Sequence, residues 1–470
     1  MDALAIALFW ALAIWGYIGR PKILIYLFFG SLSFGAFAVV PTNLTGGLTL
    51  TPSPIVALLI ALKLLLRGSG PTYLLKTALS KRGPVYLTLF WLVAFIATLT
   101  LPRLFEGSVA VIPVRAEQLA FAERLRPTTQ NFSQMVYLTI STISVFAFAR
   151  YQERYFDAHT FLKPIRFGAI CAILTGVADY ASQFVPLDAV LSPFRTATYA
   201  LLTSDLVFDS KRIVGLMPEA SSYGAICTYF LSLMYFLRPR EAKKGFDNTA
   251  HAATTLVLIA MAILSTSSAA YATLLVFLAL VAFEWLWKDV SIKRNPLSRF
   301  TIIWTALFGI VITVFVLNPA IFSNLVEIFD KMVLHKTESV SFEERAMWTT
   351  TSLQALKDTY GLGVGVGGTR PSNFLAALFS NTGVIGGMLY LLFTFRTVYR
   401  ARLNPHSPPV RNLQRGLMLA FIPPFVAQVL VGTVTDFGIT TAYIFGTCIA
   451  LASKGIAERA QPKHHPYRVV

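Results

Sequence analysis

The sequence predicts an all-α polytopic integral membrane protein, and three observations carry that prediction. Only 13% of its 470 residues are charged and 55% are hydrophobic, against about 25% charged residues in an ordinary soluble domain. The apolar residues come in runs of roughly 15 to 20, the length at which a helix crosses a bilayer core. The net charge of +17 sits mostly in short segments between those runs, the pattern of loops retained on the cytoplasmic side. Inside lipid every backbone N–H and C=O must pair within its own segment, so the runs are read as helices. The alternation of a barrel strand is absent. The same distribution of charge argues against nucleic acid as a partner and for membrane lipid, whose anionic headgroups face those loops.

Spans are expected near 4–19, 23–40, 54–66, 85–101, 132–149, 167–185, 221–237, 253–266, 269–287, 300–317, 374–395, 416–432 and 438–453. That makes about thirteen; twelve or fourteen also fit, because the third and eighth are short and the turn at 265–268 is tight. Asp2 is the only charge before Arg20, so 4–19 is expected to be a retained span rather than a cleaved signal. With the N-terminus outside and the C-terminus inside, every short basic segment falls on one face. Residues 1–470 then form one transmembrane domain with a basic cytoplasmic tail, 454–470. Cys171, Cys227 and Cys448 lie within apolar runs and are expected as packed thiols, not a disulfide framework. No internal repeat is evident, which weakens an inverted-repeat transporter reading.

Three outer loops are longer than a turn requires: 102–131, 186–220 and 318–373. The first mixes Arg103, Arg115, Arg124 and Arg126 with Glu106, Glu117 and Glu123, and is expected to be a solvated interfacial helix without a site. The second opens on Ser192-Pro193, a cap followed by a first-turn proline, so 194–208 is expected to be helical. It ends in Arg212, Gly215, Pro218 and Glu219, running straight into a span that carries Tyr223. Glu219 at the mouth of a span is a helix-capping surface residue or a functional acid. Arg212 is a helix-end anchor or a phosphate ligand.

In the third loop, Ser341 and Glu344 form a capping box. Phe342, Ala346, Leu353, Leu356 and Tyr360 then recur at helical spacing up to a stop at Gly361. Arg345, Trp348 and Ser352 share a neighbouring face. The glycine-rich run 361–368, with Gly363 and Gly365, either lets backbone N–H groups approach an anion or sugar or makes a flexible return to the membrane. It lacks the Gly-Lys-Ser/Thr ending of a P-loop. Arg370 and Asn373 follow before the next span. His335 is the only outer histidine, and no Asp-x-Asp pair or zinc-spaced cluster occurs in the outer loops, so no metal site is expected on that face, although Asp205 and Asp209 could share a turn.

Taken in order, Arg345-x-x-Trp348, the segment 360–365, Asn373-Phe374-Leu375 and the segment 381–386 resemble the O-antigen ligase and Wzy-type polysaccharide polymerase superfamily. The earlier Arg212-x-x-Gly215-Leu216-x-Pro218-Glu219 resembles the matching motif of its exopolysaccharide polymerase members. The resemblance is close over about 208–225 and 341–390 and loose elsewhere. It implies a membrane glycosyltransferase of GT-C-like fold in the bacterial inner membrane, working at the periplasmic face. The implied donor is an undecaprenyl-pyrophosphate-linked oligosaccharide, with neither metal nor nucleotide, and the implied partners are a Wzx-type flippase and a chain-length regulator. Ligases of the family carry a histidine just before the asparagine that Asn373 matches. Here that position is Ser372, which shifts the expectation from ligase to polymerase.

In that reading Arg212, Arg345 and Arg370 hold the leaving pyrophosphate, and Glu219 is the base for the attacking hydroxyl. Trp348 and Tyr223 stack on sugars or sit in an interfacial belt. Gly363, Gly365 and Asn373 complete the substrate-binding set. Two competitors remain: an O-antigen ligase with another acceptor, and a flippase or other transporter. A transporter needs polar residues along a central path, and the spans offer few beyond Lys63, Asp179 and Glu284.

Overall fold

The computed structural model describes residues 2–41, 44–45, 48–114, 121–158, 160–199, 201–202, 206–207, 210–238, 246–291, 340–400 and 408–453. The expected span 300–317, His335, Arg115, Glu117 and the tail 454–470 lie outside the described residues. Six described helices are long and apolar enough to cross a membrane, or up to seven if a bent pair counts as one. The chain is thus a multi-pass, all-α membrane protein.

Helices α1 (Asp2–Ile18) and α2 (Pro21–Ser31) form a hairpin, with Pro21 at the start of α2, where its missing N–H costs nothing. α2 stops well short of the expected residue 40. Beyond it the backbone is satisfied by other segments: Ala36 N–H donates to Leu216 O, Ala36 O accepts from Thr196 and Ala197, and Val39 N–H donates to Leu50 O. A helix cannot continue where its own ladder has been claimed elsewhere. α3 (Pro52–Leu65) turns by 105° into the short α4 (Gly70–Ala78), and Lys63 near its end donates to the carbonyls of Tyr17 and Gly19. A cation there satisfies the open C-terminal end of α1.

α5 (Pro84–Leu104) and α6 (Thr129–Tyr155) are joined by the segment expected as the first outer loop. Among its described residues that segment is not the expected helix. It forms an antiparallel hairpin of β1 (Ala110–Val111) and β2 (Glu123–Arg124), whose apolar side buries Val109, Val111 and Leu125 against Ala355 and Val364. α7 (Leu162–Ala181) leads to the segment expected as the second outer loop. There, too, the helix expected over 194–208 is absent among the described residues: α8 (Asp188–Leu191) and one 3₁₀ turn at Ser192–Phe194 are followed by non-helical chain at 195–199 and 201–202 and by a second hairpin, β3 (Leu206–Val207) with β4 (Ser210–Lys211).

α9 (Ala220–Phe236), α10 (Phe246–Leu264) and α11 (Ser268–Ser291) follow, then α12 (Val340–Asp358), α13 (Phe374–Thr394) with a π turn at Phe395–Tyr399, α14 (Pro408–Ala420), α15 (Ile422–Val431) and α16 (Gly438–Leu451). Aromatic rings fill the centre: Phe28, Phe29, Phe148 and Phe230 gather about Tyr443 and one another. Gly446 lets α16 lie directly on α6, because a Cβ there would meet Val145 O at 2.6 Å. Cys171, Cys227 and Cys448 are free thiols.

α13 departs most from expectation. Instead of one straight span, its helix breaks at Gly383 (φ 70, ψ 179). The rings of Phe374 and Tyr390 lie 5.6 Å apart, whereas sixteen residues of continuous helix would separate their backbones by roughly 24 Å. The segment before Gly383 is therefore folded back on the segment after it.

Candidate functional site

The segment between α7 and α9 is held by a buried ion pair. Asp179, near the end of α7, is fully buried. Its Oδ2 accepts from the N–H groups of Val214 (2.8 Å) and Gly215 (3.0 Å), and its Oδ1 accepts from Arg195 Nη2 (2.7 Å). The same Arg195 nitrogen donates to Gly215 O (2.9 Å). Gly215 sits at φ +61, which favours glycine. A buried carboxylate is tolerated only when charge and hydrogen bonds compensate it, and here they also fix the chain that ends in Glu219. Glu219 stands at the start of α9, half-buried, and accepts from Ser221 Oγ.

Arg212 points elsewhere. Its Nε and Nη2 donate to Oγ1 and O of Thr266, each at 3.2 Å, in the turn between α10 and α11. Tyr223 is not placed for stacking on a sugar. It is fully buried, it donates to Ala172 O at 2.9 Å, and its ring packs beside Gly176 and Gly215. An enclosed ring has no face left for a ligand.

On α12 the packed stripe is not the apolar one expected. Leu353 and Tyr360 are 40% and 89% exposed, whereas Ser352, Ala355 and Thr359 are fully buried. The reason is polar stitching. Ser352 Oγ pairs with Thr369 Oγ1 at 2.8 Å, Thr359 Oγ1 accepts from Gly363 N–H at 3.0 Å, and Thr349 Oγ1 accepts from Ser372 N–H. Arg370 N–H donates to Ile112 O, and Ile112 N–H donates to Thr369 Oγ1. Residues 369–372 are thus sewn between α12 and the chain beside β1.

The glycine run serves packing. Gly361, Gly363, Gly365 and Gly367 all have positive φ. A Cβ on Gly363 would meet Gly383 N at 2.7 Å, and one on Gly365 would meet Pro102 at 3.0 Å. Gly365 N–H donates to Asn381 O at 3.0 Å, and Gly363 N–H is taken by Thr359. Neither backbone amide is free to bind a glycan, and the run is a close-packed joint rather than a flexible return.

Asn381 locks that joint to α13. Its Oδ1 accepts from Gly368 and Thr369 N–H, and its Nδ2 donates to Thr369 O and Ala377 O. Asn373 begins the folded-back helix, its Oδ1 accepting from Ala376 N–H at 3.1 Å. That side chain is a helix cap.

Four of the expected residues come together where these loops meet. The Arg370 guanidinium lies 5.2 Å from the ring centre of Trp348, a cation–π distance. Burial pushes the Arg370 pKa down from its ordinary value, the Glu219 carboxylate offsets this and the Arg345 guanidinium adds to it. Both charges are therefore within electrostatic reach of Arg370, which stays protonated. Arg345 is exposed on α12, three residues before Trp348. Trp348 Nε1 is buried and has no hydrogen-bond partner among the described residues. The arrangement offers two guanidinium groups, one indole N–H and one carboxylate at one end of the bundle. Guanidinium forks match phosphate oxygens bidentately, and a carboxylate beside them can accept a proton.

One acid escaped the sequence reading. Asp436 lies in the turn between α15 and α16, where burial pushes its carboxyl above the ordinary value and hydrogen bonds from Ser141 and Gly438 N–H pull it partly back. An acid flanked by apolar runs was the available signal. No protein-family profile matches the chain, and no curated protein sequence matches it.

Proposed function

We propose that this chain is a membrane glycosyltransferase that polymerises undecaprenyl-pyrophosphate-linked repeat units into a bacterial surface polysaccharide, O-antigen or exopolysaccharide. It works at the periplasmic face of the inner membrane, on a GT-C-like bundle of about thirteen spans with the N-terminus outside and the C-terminus in the cytoplasm. The observation that carries the reading is the convergence of Arg345, Arg370, Trp348 and Glu219 from two outer loops far apart in sequence.

The chemistry follows from those groups. A hydroxyl of one lipid-linked unit attacks the anomeric carbon of another glycan. The bond from that carbon to the pyrophosphate oxygen breaks, and undecaprenyl pyrophosphate leaves with the electron pair. Arg345 and Arg370 bind the charge that develops on it, and the unpartnered Trp348 N–H adds a donor. The hydroxyl proton passes to Glu219. The guanidinium groups supply the positive charge, so the reaction needs no metal. Arg212, tied to Thr266 through two nitrogens, holds the second loop in place. A ligase would use the same donor chemistry, but Ser372 stands where ligases carry histidine. The broken helix α13 fits a transporter, since such helices line substrate sites at mid-membrane. The gathering of charge at one end of the bundle favours the enzyme.

The test is the purified protein with lipid-linked repeat units and EDTA, products read as a ladder. Wild type makes the ladder, and Arg345→Ala, Arg370→Ala and Glu219→Ala do not. A well-folded wild type that transfers glycan only to another acceptor, or makes nothing, overturns the polymerase reading.

A further inference from the structure

Asp436 stands deep in the bundle. Ser141 of α6 and the Gly438 N–H at the start of α16 give hydrogen bonds to its carboxyl. Ser141 lies twelve residues from Thr129 at one end of α6 and nine from Arg150 near the other, roughly 18 Å and 14 Å of helix. The chain between α15 and α16 therefore turns in the middle of the bundle rather than at its end. Its Thr435 and Phe437 are buried. Gln428 of α15 donates to Asp436 O at 3.5 Å, and its own Oε1 is buried without a hydrogen-bond partner among the described residues. Tyr390 of α13 is within electrostatic reach of the carboxyl. Of these groups, turned toward Asp436 by four helices, Tyr390 is the one that titrates. An ionisable side chain at such depth is costly to keep and marks a functional site by default.

A row of hydroxyls leads from it to the basic end of the bundle. Tyr390, Thr394 and Thr397 follow one another at i, i+4 and i+7, so they share one face of α13 and its π turn. They are 0%, 6% and 4% exposed, and none of the three hydroxyls has a hydrogen-bond partner among the described residues. Thr394 is close enough to act on the Tyr390 hydroxyl, but no bond of normal geometry joins them. Buried threonines elsewhere behave otherwise. Thr98, Thr382 and Thr447 each donate to the carbonyl four residues back, on Ala94, Leu378 and Tyr443, the local bond open to any helical threonine. Thr394 and Thr397 do not make it. Buried hydroxyls are nearly always bonded, so three in one row mark something that they bind. The row spans roughly 10 Å, most of the way from the level of Ser141 to that of Arg150. It ends at Thr397, whose Oγ1 lies 2.9 Å from where a Cβ on Gly83 would stand, next to Lys81 and Arg82.

We propose that these hydroxyls hold a file of bound water which, with Asp436 at its inner end, carries protons between that carboxyl and the basic end of the bundle. A buried water needs about two to four polar partners, which hydroxyls spaced one turn apart and the neighbouring waters supply. On uptake a proton enters beside Thr397. Each water or hydroxyl passes one proton on as it takes another, and the last settles on a carboxylate oxygen of Asp436. Release runs the same steps backward, and nothing is oxidised or reduced. The file runs away from Arg345, Arg370 and Glu219, so the inference is independent of the glycosyltransferase reading.

Infrared spectroscopy of the full-length protein in liposomes tests it. A carboxyl C=O band present in wild type and missing in Asp436→Asn identifies the protonated acid. After transfer into D2O that band shifts as the proton exchanges. Valine matches threonine in shape, so Thr394→Val/Thr397→Val should keep the band. It should slow the exchange by about tenfold or more, the effect of losing about one hydrogen bond along the path. Tyr390→Phe should slow it as well. Thr394→Ser/Thr397→Ser keeps both hydroxyls and should exchange like wild type. Equal rates in wild type and the valine variant would overturn the file, and a serine variant as slow as the valine one would show that packing, not the hydroxyls, governs the rate. An Asp436→Asn spectrum that lacks no band at any pH the fold tolerates would overturn Asp436 as the terminus.

Discussion

Arg370 lies over the Trp348 ring with Arg345 and Glu219 in reach, and burial makes its charge costly to keep. A half-buried cation stacked on an indole is hard to replace, because lysine offers neither the planar fork nor the same stacking. Arg370→Lys should therefore behave almost like Arg370→Ala in the ladder assay, each lowering kcat by about 10²–10³, the usual effect of losing one donor to developing charge. Trp348→Phe keeps a ring under the guanidinium but removes the N–H, and should cost roughly tenfold, in line with one hydrogen bond to a charged group. Full activity in Arg370→Lys would show that a point charge suffices and would remove the bidentate role. The partners of this cluster were legible as residues: arginines near a glycine run, and an acid at the mouth of a span. What could not be read was orientation. Tyr223 and Arg212 sit in the same short motif as Glu219, yet one turns into the core to Ala172 and the other toward Thr266. Spacing along an irregular loop does not fix the direction of a side chain.

At the scale of elements, the long apolar runs were legible because lipid leaves the backbone no alternative to a helix. The failures occur where backbone partners come from another segment. α2 ends early because Leu50, Leu216 and the 196–197 chain claim its would-be continuation. The described residues of segments 102–131 and 186–220 form short hairpins where interfacial helices were expected, and α12 is packed through serine and threonine rather than leucine. The break in α13 had a faint signal, Asn381-Thr382-Gly383 within an apolar run, and its geometry gives a sharp contrast. At Gly383 a side chain would meet a positive φ and the carbonyls of Gly361 and Leu362 together. At Gly68, between α3 and α4, φ is also positive, but nothing lies within 4 Å of the Cβ position. Gly68→Ala should therefore cost about 1 kcal/mol, the ordinary penalty of that backbone region. Gly383→Ala should cost well beyond that, as overpacking against backbone adds about 1–3 kcal/mol. Thermal unfolding in detergent reads both, and equal losses would mean that the joint between the glycine run and α13 is not rigid.

The whole molecule ties the proposed chemistry to one side of a membrane, and α5 is the element that decides which. Its 21 residues make a helix of roughly 31 Å, the thickness of a bilayer core. At its C-terminal end the hairpin of β1 and β2 joins the Arg370 segment through Ile112. At its N-terminal end lie Lys76, Lys81 and Arg82, the kind of short basic segment that stays in the cytoplasm. Ser108 and Lys81 are both exposed and stand at the two ends of this one span. In a variant lacking the three native cysteines, Ser108→Cys should react with a membrane-impermeant maleimide in intact spheroplasts. Lys81→Cys should react only after the membrane is opened. The reverse pattern would put the Arg345–Arg370–Glu219 cluster in the cytoplasm, where a lipid-linked glycan bound for the cell surface has not yet been flipped, and the polymerase reading would fall with it. Because a single crossing settles the matter, this result does not depend on how many spans the rest of the chain contains.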